Sequence, residues 1–139
     1  MVSEDWSIDV TRAIAKHFSD NRNELYMHVP GLVDNRSKHS EWFELSFMGP
    51  TTTKVSAGVY RIDLVVNLLV QACVEQKNSR NPFRATEIES WLTPLFTCIN
   101  VDGIELEPGA VQVGPTLTLT GQPHQRLSIS CKYTAQIIQ

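Results

Sequence analysis

The stretch GVYRIDLVVNLLVQACVEQ, residues 58–76, decides the fold. Read at a period of two residues, one of its faces is entirely apolar and the other is mixed. The apolar face holds Tyr60, Ile62, Leu64, Val66, Leu68, Val70 and Ala72, and the mixed face holds Val59, Arg61, Asp63, Val65, Asn67, Leu69 and Gln71. This alternation is typical of a β-strand with one face on a core. We therefore predict one long strand from Val59 to about Val74.

A strand of this length is large compared with the domain that holds it. At about 3.3 Å per residue it extends roughly 50 Å, whereas a domain of 139 residues is only about 30 Å across. On one interpretation the strand reaches past the core, and self-association covers the mixed face with Val65 and Leu69. On the other, the strand bulges near Asn67 and both faces are covered within the monomer. The sequence leaves both interpretations open.

Elements with simpler patterns precede the long strand. Trp6, Val10, Ile14 and Phe18 recur every four residues, which predicts an amphipathic helix over about Asp5 to Ser19. The segments that follow are predicted as a short strand (Glu24 to Val29), a loop (Val29 to Ser40), a strand with Phe43, Leu45 and Phe47 on one face (Glu41 to Gly49), and a polar, Thr-rich hairpin tip (Gly49 to Gly58). The strand, the tip and the long strand together form a β-hairpin.

The remainder of the chain reads as a polar connection, a second helix and a series of strands. The helix covers about Pro82 to Phe96, with a bend or break expected near Leu92 to Pro94 because Pro94 removes a helical hydrogen bond. The strands that follow are Cys98 to Val101, Ile104 to Leu106 after an Asp102-Gly103 turn, Val111 to Val113, Leu117 to Thr120 and Leu127 to Ile138. The fold class is α+β: a mostly antiparallel mixed sheet with two helices packed on one face and one over-long hairpin strand. Residues 1–139 read as a single domain.

Composition limits the classes of function. Hydrophobic residues make up 42% and charged residues 19% of the chain, which is typical of a globular protein, and the net charge of −3 gives no reason to expect nucleic-acid binding. Cys73, Cys98 and Cys131 are odd in number and form no CxxC pair, so we expect free, buried thiols. The acidic start MVSEDWSIDV does not resemble a signal peptide, and no apolar run can span a bilayer. We expect no membrane association and a location in the cytoplasm.

No recognised catalytic, metal or cofactor motif is present. The four histidines are scattered, no HExxH, GxSxG, GxGxxG or GxxxxGK[ST] occurs, and no pair of carboxylates is spaced for joint chemistry. We therefore expect no catalytic residue, no metal and no cofactor. Two short basic or polar runs are possible contact segments, RSKH at residues 36–39 and TTTK at residues 51–54, although a solvated loop is the simpler interpretation of each.

In its order of elements the chain resembles the tail terminator proteins of long-tailed bacteriophages. The resemblance covers nearly the whole chain: an N-terminal amphipathic helix, WFELSFMG, a polar hairpin, GVYRIDLVVNLLVQACVEQ, TEIESWLTPLF and the closing strand LSISCKYTAQI. The chain departs from this pattern at Pro94 and in the strand material between Val101 and Thr120.

The resemblance implies a structural protein of the virion and no catalysis. Such proteins form a hexameric ring on the last ring of the tail tube, stop its polymerisation and present a surface to the head–tail connector or neck protein. The location implied is the virion tail or neck, with the host cytoplasm during assembly. The residues that we expect at contacts between subunits or with the tube are Arg36, Lys38, Thr51, Thr52, Thr53, Lys54, Val65 and Leu69. The alternatives are another connector or tail tube subunit, and a small α+β enzyme or ligand-binding domain.

Overall fold

The computed structural model of the chain describes residues 4–76 and 79–138. The α-helices are α1 (Glu4–Asp20) and α2 (Arg84–Leu92), and short 3-10 helices cover Arg36–Lys38 and Thr93–Leu95. The strands are β1 (Tyr26–His28), β2 (Trp42–Ser56), β3 (Val59–Cys73), β4 (Glu75–Gln76), β5 (Ser79–Arg80), β6 (Ile99–Val101), β7 (Ile104–Val113), β8 (Leu117–Thr118) and β9 (His124–Ile138).

Within the described residues one sheet of seven strands forms the body, in the order β1-β2-β3-β9-β7-β6 with β8 also paired to β9. Only β1 and β2 are parallel; the other neighbours are antiparallel. The long strand β3 pairs with β2 on one side and with β9 on the other. Its ladder to β9 is unbroken from Val59, opposite Ile138, to Cys73, opposite His124. The predicted α+β class, with a mostly antiparallel sheet and an over-long hairpin strand, is confirmed.

Both helices pack on the same face of the sheet. The stripe Trp6, Val10, Ile14 and Phe18 of α1 is buried, and it joins one hydrophobic cluster with Ile88 and Leu92 of α2 and the apolar face of β3 from Ile62 to Ala72. Burial of apolar side chains of this size stabilises a fold by about 1.5–3 kcal/mol each. The helix predicted over Pro82 to Phe96 begins later, at Arg84, and as expected its α-helical part ends at Leu92, just before Pro94.

The opposite face of the sheet, which we call the helix-free face, has no second layer. Val65, Asn67 and Leu69 of β3 are only half-buried there, and Ser128 and Lys132 of β9 are exposed. No described helix or second sheet covers these side chains, and β3 has no bulge at Asn67. The interpretation in which a bulge lets the monomer cover both faces is therefore wrong.

Two details of the strands differ from the sequence-based expectations. The segment between Gly49 and Gly58 is not a loop: β2 continues through it to Ser56, and only Ala57 and Gly58 form the turn. Pairing with β3 keeps this polar segment extended. The strand material from Ile104 to Val113 is one strand with a bulge between Pro108 and Val111.

The cysteines also depart from expectation in one case. All three are free, as predicted, but Cys98 is exposed, because it lies in the short connection between α2 and β6 and not inside an element of the core. Cys73 and Cys131 are buried, and burial raises the pKa of the Cys131 thiol.

A bulge at Gly49 and Pro50 marks the point where β2 leaves the core. The ladder steps from Met48, opposite Val65, to Thr51, opposite Asp63. Gly49 has a φ of +101°, and a Cβ atom there would lie 2.9 Å from the Asp63 carbonyl oxygen. Only glycine fits this close approach of two backbones without strain.

We expect Gly49→Ala to lower the free energy of unfolding by about 2–3 kcal/mol, because the new Cβ combines an unfavourable φ with a backbone clash. Urea denaturation measures this difference. Gly31→Ala is the matched control, because Gly31 also has a positive φ, +94°, but no atom within 4 Å of the added Cβ. Equal losses in the two variants would contradict a role for the contact with Asp63.

Candidate interaction surfaces

The residues predicted as contacts lie in three separate places. Arg36 and Lys38 lie in the 3-10 helix of the loop at residues 29–40. Thr51, Thr52, Thr53 and Lys54 lie in the outer half of β2, and Val65 and Leu69 lie on the helix-free face. The structure brings Arg36, Lys38 and Leu69 together around one groove, described below, and keeps the threonines apart from it.

The outer half of the β2–β3 hairpin, residues 51–62, forms an arm. Every residue of β2 from Thr51 to Ser56 is exposed, whereas Ile62 of β3 is completely buried. The strands of the arm remain paired, with a second register shift between Lys54 and Ser56. The arm therefore offers threonine and lysine side chains on an ordered backbone.

Arg36 holds the loop against the sheet. Its Nε and Nη2 donate to the two oxygens of Asp34 at 2.9 and 2.7 Å, and its Nη1 lies 3.6 Å from Glu44 Oε2. The guanidinium also lies over the ring of Trp42, 5.1 Å from its centroid. Hydrogen bonds from the side chain and the backbone N–H of Arg36 hold the pKa of the Asp34 carboxyl well below its usual range.

Trp42 is covered by a second guanidinium. Its indole is on the helix-free face, outside the core cluster, yet it is only 5% exposed. Arg126 of β9 lies 5.6 Å from the ring centroid. Arg126 Nε and Nη2 both donate to Gln71 Oε1 at 3.2 Å, and Gln71 Nε2 donates to the Ser40 carbonyl oxygen at 3.3 Å. Cation–π contacts and hydrogen bonds together fix this end of the face.

A groove of about 690 Å³ opens beside this cluster. Residues 36–40 form one wall, the turn that contains Gln122 and His124 forms the other, and Trp42, Leu69 and Gln71 form the floor. Arg36 is already paired with carboxylates. Within the described residues, Lys38 and Arg126 have no carboxylate partner. The groove is therefore lined by cationic and polar groups, although the whole chain is acidic.

The sequence interpretation missed Trp42, Gln71 and Arg126. One signal was available: in EWFEL the core positions are Phe43 and Leu45, which puts Trp42 on the polar side of the strand. A large aromatic residue on such a face needs a cover. The partner Arg126 lies 84 positions along the chain, and only the register of β9 against β3, with Arg126 opposite Gln71, brings it there.

Two other ionisable side chains, His17 and Arg84, connect elements of the fold. His17 Nε2 lies 2.9 Å from the Leu95 carbonyl oxygen and links α1 to the 3-10 helix that follows α2. Arg84 makes a bidentate salt bridge with Glu41, in which its Nε and Nη2 donate to the two carboxylate oxygens at 2.8 and 2.9 Å.

Over residues 4–76 and 79–138, no three His, Cys, Asp or Glu side chains are grouped to hold a metal ion. In the same ranges, no helix has both the length and the apolar character needed to cross a bilayer.

Comparison with known proteins identifies a shared fold. No family model matches the chain, and no curated protein matches it. Eighteen chains among the solved structures are similar. One of them, whose name states no activity, aligns over 100% of this chain and 99% of its own, with a TM-score of 0.64 and 16% sequence identity. At this identity the likeness shows the fold alone.

The Asp34–Arg36 pair gives a prediction for the pH dependence of stability. A carboxylate whose pKa is lowered by folding stabilises the protein above its unfolded pKa of about 3.9, and that stabilisation is lost as the pH falls through the folded value. We expect Asp34→Asn to be less stable than the parent by a constant amount above about pH 5. The difference should shrink below about pH 4 and with added salt, since the pair is exposed.

Chemical denaturation at a series of pH values measures this difference. Asp20→Asn is the control, because Asp20 also pairs with a cation, Lys16, at 2.7 Å, but lies on α1 away from the loop. A difference between parent and Asp34→Asn that stays constant down to about pH 2 would show that the pair adds no pH-dependent stability.

Proposed function

We propose that this chain is a ring-forming structural subunit that caps the tail tube of a long-tailed bacteriophage. In this role the ring stops tube polymerisation and presents a surface to the head–tail connector or neck protein. One observation carries the proposal. The sheet has two unpaired edge segments, one on β2 and one on β7, and they lie on the same rows of the sheet, so that copies can join side by side.

The open edges belong to β2 and β7. β1 pairs with β2 only as far as Glu44, and β6 pairs with β7 only as far as Leu106. No described strand pairs with the outer edges of Leu45 to Thr51 and of Glu107 to Val113. The ladders put the two segments on the same rows of the sheet. One row runs Leu45–Leu68–Ile129–Val113, and another runs Thr51–Asp63–Thr134–Glu107.

The strand directions suit such a junction. β2 runs parallel to β9, and β7 runs antiparallel to it, so β2 of one copy meets β7 of the next as an antiparallel pair. Pro50 and the bulge after Pro108 interrupt the two edges. Regular pairing between copies is therefore limited to Leu45–Met48 of one copy against Val111–Val113 of the next. Short, interrupted edges of this kind resist uncontrolled strand addition. A contact between two different surfaces of identical subunits closes into a ring when the rotation between subunits permits.

The helix-free face and the arm provide the remaining contacts. Val65 and Leu69 are half-buried on a face with no second layer, and they gain cover from a neighbouring subunit or from the tube. The arm, with Thr51 to Lys54, and the loop with Arg36 and Lys38 are assigned to contacts with the tail tube protein and the connector. The order of elements supports the tail terminator role within the wider class of ring-forming proteins, as an analogy at the level of the fold.

The first experiment is the solution mass by light scattering, with negative-stain images of the same sample. A closed ring of about six subunits with a central hole is the expected result. Open tubes would favour the tail tube alternative, because tube subunits polymerise without limit. A chain that remains monomeric both alone and with tail tubes would favour the ligand-binding alternative.

Met48→Lys tests the edge directly. Met48 is 64% exposed in the regular part of the β2 edge, so the change leaves the core intact but puts a charge where the next subunit pairs. We expect the ring to be lost while the circular dichroism spectrum shows that the chain is still folded. Ile8→Lys is the control, since Ile8 is an exposed apolar residue on α1. Intact rings from Met48→Lys would contradict the proposed junction.

A further inference from the structure

We propose that the groove between residues 36–40 and the Gln122–His124 turn binds an acidic, extended peptide segment of another protein. The inference goes beyond ring formation and does not depend on it. Four observations carry it: the unpaired cations, the fixed position of Arg126, the chemistry of the floor and the charge of the rest of the chain.

The cations at the groove are available to a ligand. Arg36 is neutralised by Asp34 and Glu44, but among the described residues no carboxylate lies within ion-pair distance of Lys38 or Arg126. The rings of His39 and His124 and the hydroxyl of Ser37 add polar groups along the same groove. These groups lie on both walls, so a ligand that runs along the groove meets donors on both sides.

Arg126 is held in position before any ligand arrives. Its guanidinium stacks over Trp42, and two of its nitrogens are bound by Gln71 Oε1, which is itself fixed through the Ser40 carbonyl. No described residue accepts a hydrogen bond from its remaining N–H groups, which are therefore available to a ligand. A guanidinium that is already ordered loses little side-chain entropy on binding, and its planar arrangement of donors matches a carboxylate.

The chemistry of the groove favours a peptide carboxylate over a nucleic-acid phosphate. The floor includes the half-buried side chain of Leu69, which offers apolar contact to alternate side chains of an extended segment. The net charge of the chain is −3, and only two described cations at the groove are unpaired. Nucleic-acid binding depends on neutralising many phosphates in succession, and this surface lacks the charges to do so.

The test uses a short acetylated and amidated peptide of alternating glutamate and alanine, with the same peptide carrying glutamine in place of glutamate as its control. Titration calorimetry and tryptophan fluorescence measure binding to the free chain. We expect binding by the glutamate peptide alone, weakening as the salt rises from about 50 to about 300 mM. We expect Trp42→Phe to remove the fluorescence change but not the calorimetric signal, because Trp42 lies on the groove floor.

Charge reversal locates the site. We expect Lys38→Glu and Arg126→Glu each to weaken binding about tenfold, and Arg12→Glu, on the exposed surface of α1, to leave it unchanged. The Lys38 side chain makes no hydrogen bond or ion pair with any described residue, so its variant remains informative if Arg126→Glu lowers stability in a thermal melt.

Four results would overturn the inference: no binding at about 1 mM peptide, equal binding of the glutamine peptide, unchanged binding by Lys38→Glu, or tighter binding of tripolyphosphate or a single-stranded oligonucleotide. Binding is read from the peptide titration and rings are read from light scattering, so failure of either result is distinguishable from failure of the other.

Discussion

The pairing of β3 on both sides is the constraint on which the structure depends. β9 pairs with all fifteen of its residues, and β2 pairs with it from Val59 to Gln71 with two register shifts, so one strand sets the register of the two others. A slip of one residue in either ladder would turn every apolar side chain of that strand to the wrong face. The continuous apolar face of β3 makes such a slip very costly, because Ile62, Leu64, Val66, Leu68 and Val70 are all buried.

The same constraint explains why the helix-free face resembles a protein surface and not a core. The positions that alternate with the core residues carry mixed chemistry, and the helices are already used on the other side. The large apolar group at one end, Trp42, is shielded by the guanidiniums of Arg36 and Arg126 in place of a packed layer. Long cationic side chains can cover an aromatic ring while their charged groups remain in water. The face therefore stays compatible with water and still offers Val65 and Leu69 to a partner.

Much of the fold could be predicted from local pattern. The alternation of β3 and β9, the stripe of α1 and the end of α2 before Pro94 are all visible as spacing, because each reflects burial of one face of a regular element. The arm could not be predicted in this way. TTTK has no buried face, and its extended form comes from pairing with β3, which a turn-rich composition conceals.

The groove was only partly predictable for a similar reason. Arg36 and Lys38 lie two residues apart in a basic run that the sequence makes visible, and Leu69 lies on a recognisable mixed face. Trp42, Gln71 and Arg126 come from three strands, and only their register unites them. A site assembled by sheet register leaves no spacing signal in the chain, whereas a site on one helix or one loop does.

The connections between distant parts of the chain also set when the molecule can form. The indole N–H of Trp6 donates to the carbonyl of Val101 at 3.2 Å, so the first helix completes its packing on a hairpin 95 residues away. The strand β3 gains its second neighbour only when β9 (His124–Ile138) has been synthesised. Val101 must have left the ribosome before the first contact can form, and β9 before the second. Until β9 arrives, β3 can pair only with β2, and apolar surface left exposed at that stage favours aggregation.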